Sequence, residues 1–431
     1  MKTMIDKWLA ACTLCAGLAI PAWGQTADKS YTLEQCRTMA LEHNIKMKNA
    51  KNNLAGAEQT RKEAFTNYFP TVSATGMGYN ANEPAATMAL APGMELALLK
   101  NGLVGGVTAV QPVFTGGQII NGNKLAKVGV EVSKLQLKQS ENEVNLTAEQ
   151  YYWQVITLKE KQHTLATVDT MLNRLLKDVS AAVDAGVTTR NDLLQVQLKK
   201  NEIACTRINL DNGLSLSKRV LAQYMGVEGT DFELVSDISM EELPAFSPDM
   251  QRNHSVALIH TPEYNLLEKN VEANKLQQKL SVGKNMPTVG VGAGYMYHNL
   301  LDRDESFGLV FASVSVPLSG WWGGSHAIKR QKLQVKNAEN ELTDKSELLV
   351  IRMQQIWNDL ENAYKQLGIA HNSIEQATEN LRLNNDYYQA GTTNMSDLLK
   401  AQSLYQQSKD RYVDAYSQYQ TKILEYRLAT W

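Results

Sequence analysis

The chain has 431 residues, 43% hydrophobic and 20% charged, with a formal net charge of −2. That balance offers no electrostatic case for nucleic acid. Beyond the N-terminal segment no run of about 18 apolar residues occurs, so no transmembrane helix is expected, and the ten prolines leave room for long uninterrupted helices.

Residues 1–24 have the layout of a secretory signal. Lys2 and Lys7 form a basic start, Trp8 to Ile20 is apolar, and Ala22-Trp23-Gly24 places small residues for cleavage before Gln25. A lipoprotein reading at Leu9-Ala10-Ala11-Cys12 is weaker, because the apolar run continues past Cys12. The mature chain is therefore expected to be exported and to enter a membrane, if at all, with strands. Cys36 and Cys205 remain after cleavage, on separate helical patterns that favour unpaired thiols, and there is no zinc-ligand spacing.

Residues 31–68 read as helix, opening on Thr32-Leu33-Glu34-Gln35. Residues 39–72 match 256–289 at a constant offset of 217 (256 − 39): Ala40-Leu41 with Ala257-Leu258, His43 with His260, and Pro70-Thr71-Val72 with Pro287-Thr288-Val289. A constant offset over such a span points to internal duplication. Strand patterns follow each Pro-Thr-Val, at 71–80 and 288–297, with second strands expected at 104–114 and 307–318. Ten residues is about the length of a tilted membrane strand. Val289, Val291 and Tyr295 are expected to face lipid, and Gly290 and Gly292 the lumen, where an Arg at Gly292 would narrow the pore. Pro112 matches Pro317 at an offset of 205, so the first hairpin carries twelve extra residues (217 − 205), expected in a loop around 81–103.

Sevenfold apolar spacing then runs from Val130 through Val144, Leu158 and Leu172 to Val179, and from Ile328 through Leu342 and Ile356 to Ala377. Such spacing means coiled-coil packing. A helix over 118–184 would be roughly 100 Å long. Each long pattern ends on a repeated stretch, AGVTTRNDLLQVQ at 185–197 and AGTTNMSDLLKAQ at 390–402, again offset by 205 (391 − 186). Gly186 and Gly391 suit a helix C′ position, and Thr or Ser ahead of Asp-Leu-Leu suits the next N-cap. Each copy is read as the tip of a helical hairpin. Residues 226–262, rich in Gly and Pro, read as a joint between the halves.

None of the seven histidines forms HExxH or a paired cluster, and there is no GxSxG, P-loop or strand-GxGxxG-helix unit, so no catalytic, metal or cofactor site is expected. Trp321 and Trp322, at a strand end, suit either an interfacial girdle or plain packing. Asp192 and Asp397 occupy the same place in the two tips. Either they stabilise a helix start through the dipole, or they ring a pore mouth and control ion passage.

These features together resemble the TolC-like outer membrane efflux protein family. The likeness rests on Thr-Leu-Glu-Gln with Ala-Leu-Glu-His-Asn at 40–44, the Phe-Pro-Thr junction, Gln-Pro-Val-Phe-Thr-Gly-Gly at 111–117 and the twofold Ala-Gly…Asp-Leu-Leu…Gln tips. It implies a mainly α protein with a β-barrel part: long coiled-coil hairpins plus four transmembrane strands per chain, closed as a homotrimer in outer membrane lipid with the tunnel in the periplasm. It implies a signal peptide at 1–24, a first repeat at 25–225 (β-hairpin 70–114, tip 185–192), an equatorial joint at 226–262 and a second repeat at 263–431 (β-hairpin 287–318, tip 390–397). It further implies efflux or secretion with an inner-membrane transporter and a periplasmic adaptor, and no enzymatic activity. Asp192, Tyr388 and Asp397 match entrance-gate positions. Gly186, Val187, Thr188, Thr189, Gly391, Thr392, Thr393 and Asn394 match the tips that meet adaptor or pump. Thr393 stands where a well-studied member has arginine, and Lys400 where it has a second gate aspartate. A periplasmic coiled-coil adaptor or scaffold is the rival reading; adaptors carry one hairpin between compact β domains, whereas two hairpins alternate with strand pairs here.

Overall fold

A computed structural model describes residues 29–83, 86–91, 94–98, 101–236, 238–240, 242–299, 304–318 and 320–430. The expected signal segment with Cys12, and the Trp321 side chain, lie outside what is described.

The chain opens on β1 (Lys29–Tyr31), α1 (Leu33–His43) and α2 (Ile45–Thr66). One helix was expected over 31–68; there are two. Asn44 has an extended backbone and its side chain accepts from the Lys46 N–H, so it ends one helix and caps the next. Thr32 and Gln35 form a reciprocal capping box at the start of α1.

Strands β2 (Thr71–Asn80), β5 (Asn101–Phe114), β7 (Thr288–His298) and β8 (Glu305–Ser315) form one antiparallel sheet in the order β2-β5-β7-β8. The first hairpin thus joins the second through β5 and β7, with Gly106 opposite Met296 and Val107 opposite Tyr295. The inserted residues are not simply a loop. They include a second small hairpin, β3 (Ala86–Ala91) paired with β4 (Met94–Leu98).

Helix α3 (Gln118–Asp184) has the expected limits. It turns at the first tip into α4 (Arg190–Met225), and α7 (Gly320–Gln389) turns at the second into α8 (Met395–Thr430). The two return helices are equal in length. The joint holds β6 (Phe232–Leu234), a 3-10 turn at Pro248–Met250 and α5 (His254–Leu258), and α6 (Pro262–Gly283) opens the second half. α8 packs against both α3 and α7.

The core runs along these helices. Near mid-length β1 pairs in parallel with β6, and Tyr152, Trp153, Ile156, Leu221, Met225 and Phe232 bury each other with Cys36. Burying side chains of this size contributes about 1.5–3 kcal/mol each before entropy is charged. Arg37 of α1 pairs with the buried Glu149 of α3, which also accepts from the Trp153 indole at 3.1 Å. Burial pushes the Glu149 carboxyl up, and Arg37 pulls it back down. On the second half, Tyr412, Tyr419 and Tyr426 of α8 and Trp357 and Leu360 of α7 are covered by Ile238, Met240 and Phe246 of the joint. The two cysteines among the described residues are free, Cys36 buried and Cys205 exposed.

Candidate functional site at the hairpin tips

The two tips are built alike. Gly186 and Gly391 share the same positive φ, a left-handed conformation that any Cβ would strain. Each closes its helix with the same pair of bonds: Gly186 N–H to Val183 and Val187 N–H to Ala182, Gly391 N–H to Tyr388 and Thr392 N–H to Tyr387. The expected C′ glycines are there for that reason.

The N-caps differ from the expectation at one tip. Thr189 caps α4, and its hydroxyl and the Asp192 carboxylate complete a capping box. At the second tip Asn394, not Ser396, does this work: its side chain accepts the Asp397 N–H at 2.9 Å. Asx side chains reach the backbone from that position as well as Thr does.

Both aspartates are held by their own loops. Asp192 Oδ2 accepts from Thr188 Oγ1 at 2.6 Å and from Thr189 Oγ1 at 3.0 Å. Asp397 Oδ2 accepts from Thr393 Oγ1 at 3.2 Å. The hydroxyls, Thr188 first, hold the Asp192 carboxyl below the usual carboxylate range, against the opposing effect of partial burial. The tips differ in their surroundings. Asp192 is half-buried, whereas Asp397 is exposed.

Tyr388 explains the difference. It belongs to α7 but lies against the first tip, with Leu193, Met395 and Leu399 in one apolar cluster. Burial pushes its phenol up; a hydrogen bond with Thr188 opposes this, and the nearby Asp192 charge adds to it. Asp192, Thr188 and Tyr388 thus form one group drawn from both hairpins, while Asp397 stands apart. Lys400 is exposed one turn beyond Asp397, and among the described residues no ion pair joins them. Val187 is 80% exposed at the tip. Sequence reasoning could not see the Tyr388–Thr188 contact, since the two residues lie in different hairpins and only the packing of α3 on α8 brings them together.

The other sequence candidates fall elsewhere. His254 is buried with its Nε2 3.3 Å from the Tyr426 hydroxyl, and among the described residues no cluster of metal-ligating side chains occurs. No described helix is long and apolar enough to cross a membrane.

The outer membrane efflux protein family model matches residues 37–227 and 255–429, leaving out little beyond the joint and the N-terminal segment. The chain belongs to the outer membrane efflux protein family. As a member it is an efflux channel component rather than an adaptor, and its family is not enzymatic. Solved structures agree on the fold. The Campylobacter jejuni CmeC outer membrane channel superposes with a TM-score of 0.78 at 14% identity, over 92% of this chain and 85% of that one. VceC, an outer membrane protein of Vibrio cholerae, gives 0.73 at 15%, over 92% and 94%. The open-state MtrE outer membrane channel of Neisseria gonorrhoeae gives 0.73 at 14%, over 92% and 88%. Comparison with curated protein sequences finds no match. Against these relatives the efflux protein has no large departure in length, and its tips fall within both matched segments.

Proposed function

We propose that three copies of this chain close into one outer membrane channel-tunnel, whose strands cross the outer membrane lipid and whose helices reach through the periplasm to an adaptor and an inner-membrane transporter. The carrying observation is the four-stranded sheet. Among the described residues β2 and β8 each have one unpaired edge, and unpaired edges are not tolerated in lipid. Three sheets of four strands make a twelve-stranded barrel, a closed and even-numbered solution.

The two faces of the sheet differ in where their hydroxyls fall. From the register, Val72, Ala74, Val107, Ala109, Val291, Ala293, Val310 and Val314 share one face with Tyr295. The other mixes Thr71, Ser73, Thr75, Thr108, Ser313 and Ser315 and the glycines Gly290, Gly292 and Gly294 with Val110, Met296, Leu309 and Phe311. On this reading the Val- and Ala-rich face is the lipid face, and the face that carries the threonines, serines and glycines is the lumen. Phe65, Tyr68 and Phe69, at the end of α2 beside the sheet, are exposed and mutually packed, which suits an interfacial girdle; Trp322 is exposed on the opposite half.

Two of the helices also leave apolar residues uncovered. α4 exposes Leu194, Leu198, Ile208 and Leu216, and α7 exposes Ile351, Ile369 and Tyr387. Apolar seams of this length call for neighbouring helices. α4 leaves its tip at Arg190 and α7 reaches its tip at Gln389, so Ile208 and Ile369 sit at nearly the same height above the tips. We expect α4 of one subunit to meet α7 of the next there. In a Cys205→Ser background, Ile208→Cys with Ile369→Cys should give oxidised dimers and trimers on denaturing gels. Exclusive monomer, with both thiols fully labelled, contradicts that packing.

The tips Gly186 to Thr189 and Gly391 to Asn394 then converge at the periplasmic entrance, with Asp192, Tyr388 and Asp397 as its constriction and exposed Val187 facing the adaptor or pump. The N-terminal segment, Met1 to Gly24, acts as the export signal.

A further inference from the structure

The face of the sheet read above as the lumen is not uniform. Its successive positions on β2 are Thr71, Ser73 and Thr75, whereas those on β8 are Phe307, Leu309 and Phe311. A strand advances about 3.3 Å per residue, so Phe307 to Phe311 is an apolar stripe about 13 Å long. Beside it, β7 places Gly290, Gly292 and Gly294 on the same face, followed by Met296. The glycines let bulky side chains lie along the wall. The Phe311 ring takes the space that a Cβ of Gly292 would need, and the Met296 thioether takes that of Gly106. Laid flat, such groups leave the bore open and keep a face toward it; Phe307 is 48% exposed.

The stripe carries no charge. Among the described residues, Glu305 and His298, in the row beyond Phe307, are the only charged or imidazole side chains on this face. In the proposed barrel β8 of one copy pairs with β2 of the next. That pairing sets the phenyl rings and Leu309 beside the hydroxyls of Thr71, Ser73 and Thr75, at three seams around the lumen. A lumenal wall meets only what travels through the channel, and the chain belongs to an efflux family. The occupant of the seam is therefore a solute in transit. The chemistry that fits is an apolar side for β8 and a hydrated or hydrogen-bonding side for β2, with no demand on the sign of the charge.

Resting on the tunnel reading above, we propose that each β8–β2 seam is a binding track in the barrel lumen for small organic amphiphiles. They lay an alkyl chain or flat ring on Phe307, Leu309 and Phe311 and keep the polar end in the water-filled bore or on the hydroxyls. Apolar surface removed from water, not head-group charge, sets how tightly they are held.

The test is single-channel recording from the trimer of the full chain in bilayers, with blockers added on the extracellular side. Two series are compared, butyl-, hexyl- and octyltrimethylammonium and the matching alkyl sulfates. A fully buried methylene is worth about fourfold in affinity, so the half-blocking concentration should fall about two- to fourfold per methylene in both series. Phe307→Ser with Phe311→Ser should bring that step close to unity. A step near unity in the parent channel overturns the proposal, as does a step confined to one head-group charge or one that the double substitution leaves unchanged. Leu309→Cys in a Cys205→Ser background gives a second reading that does not depend on assembly of the double variant. An impermeant charged methanethiosulfonate should label it and lower the conductance, and octyltrimethylammonium and octyl sulfate should each slow the labelling. Labelling that neither amphiphile slows overturns the proposal. Conductance lowered through Val310→Cys and not through Leu309→Cys makes the opposite face the lumen, and overturns the facing on which this inference rests. A trimer that assembles but conducts nothing overturns the tunnel reading itself, and this inference with it.

Discussion

Asp410 of α8 has a carboxyl pushed far from its ordinary range, up to about 6. Burial is the main cause; Lys161 opposes it and Asp414 adds to it. One of its oxygens is buried without a hydrogen-bond partner. Because the folded value lies above the unfolded one, the folded chain binds more protons between about pH 4 and 6. Stability should therefore fall as pH rises through that window and stay lower above it. Solvent access at this half-open site trims the effect to about 2 kcal/mol. Asp410→Asn should flatten the melting temperature against pH and raise it at neutral pH; an unchanged profile would show that Asp410 is well solvated. Asp192 runs the other way. Its depressed value contributes stability above the unfolded pKa that is lost as pH falls through the folded one. If the tips form the proposed gate, the exposed Asp397 is expected to be the better cation ligand, since Asp192 already accepts three hydrogen bonds. Lys400→Asp should strengthen divalent block of single-channel current from the periplasmic side, and Asp397→Ala should weaken it. Block indifferent to both would make Asp397 a helix-start residue only.

Among the elements, the strands carry the clearest test. Val291 is exposed on the apolar face, so Val291→Arg should weaken assembly by about 2–4 kcal/mol if it lies at the bilayer midplane, read as loss of trimer after detergent extraction. Gly292 behaves differently from its sequence expectation. A Cβ built there would stand 2.5 Å from the Phe311 ring, which lies directly across the ladder. The glycine is there to make room for Phe311, and an Arg would displace that ring before it narrowed any pore. Residues acting locally were legible in sequence. Gly186 and Gly391, the strand alternation and the heptads all follow from periods of 2 and 3.5 and from one left-handed position. The limits of α3 were legible because no proline or cap interrupts it. Three features were not. The break at Asn44 depends on a side chain choosing backbone over solvent. The β3–β4 hairpin inside the insertion has no Asn-Gly turn to announce it. Asn394 as a cap was hidden because Ser396 offered the commoner motif nearer the repeated Asp-Leu-Leu. Cross-hairpin contacts, such as Tyr388 with Thr188, lie beyond any local pattern.

At the scale of the whole molecule, one chain is an unfinished object. Among the described residues its sheet has two open edges, its α4 and α7 leave apolar residues uncovered, and one strand face exposes valines. On the proposed assembly each deficit would be met by the same operation, a threefold repetition that pairs β2 with β8 and α4 with α7 of adjacent copies while lipid covers the strands. Ring closure is heterologous, since unlike surfaces meet, and it ends only when the rotation closes. The efflux reading depends on that closure, because an open sheet conducts nothing. The most direct measurement is the protein mass of the particle extracted from outer membranes in mild detergent, by light scattering with the detergent contribution subtracted. The account predicts three chains per particle. A particle of one chain, extracted natively and stable in that form, would contradict it.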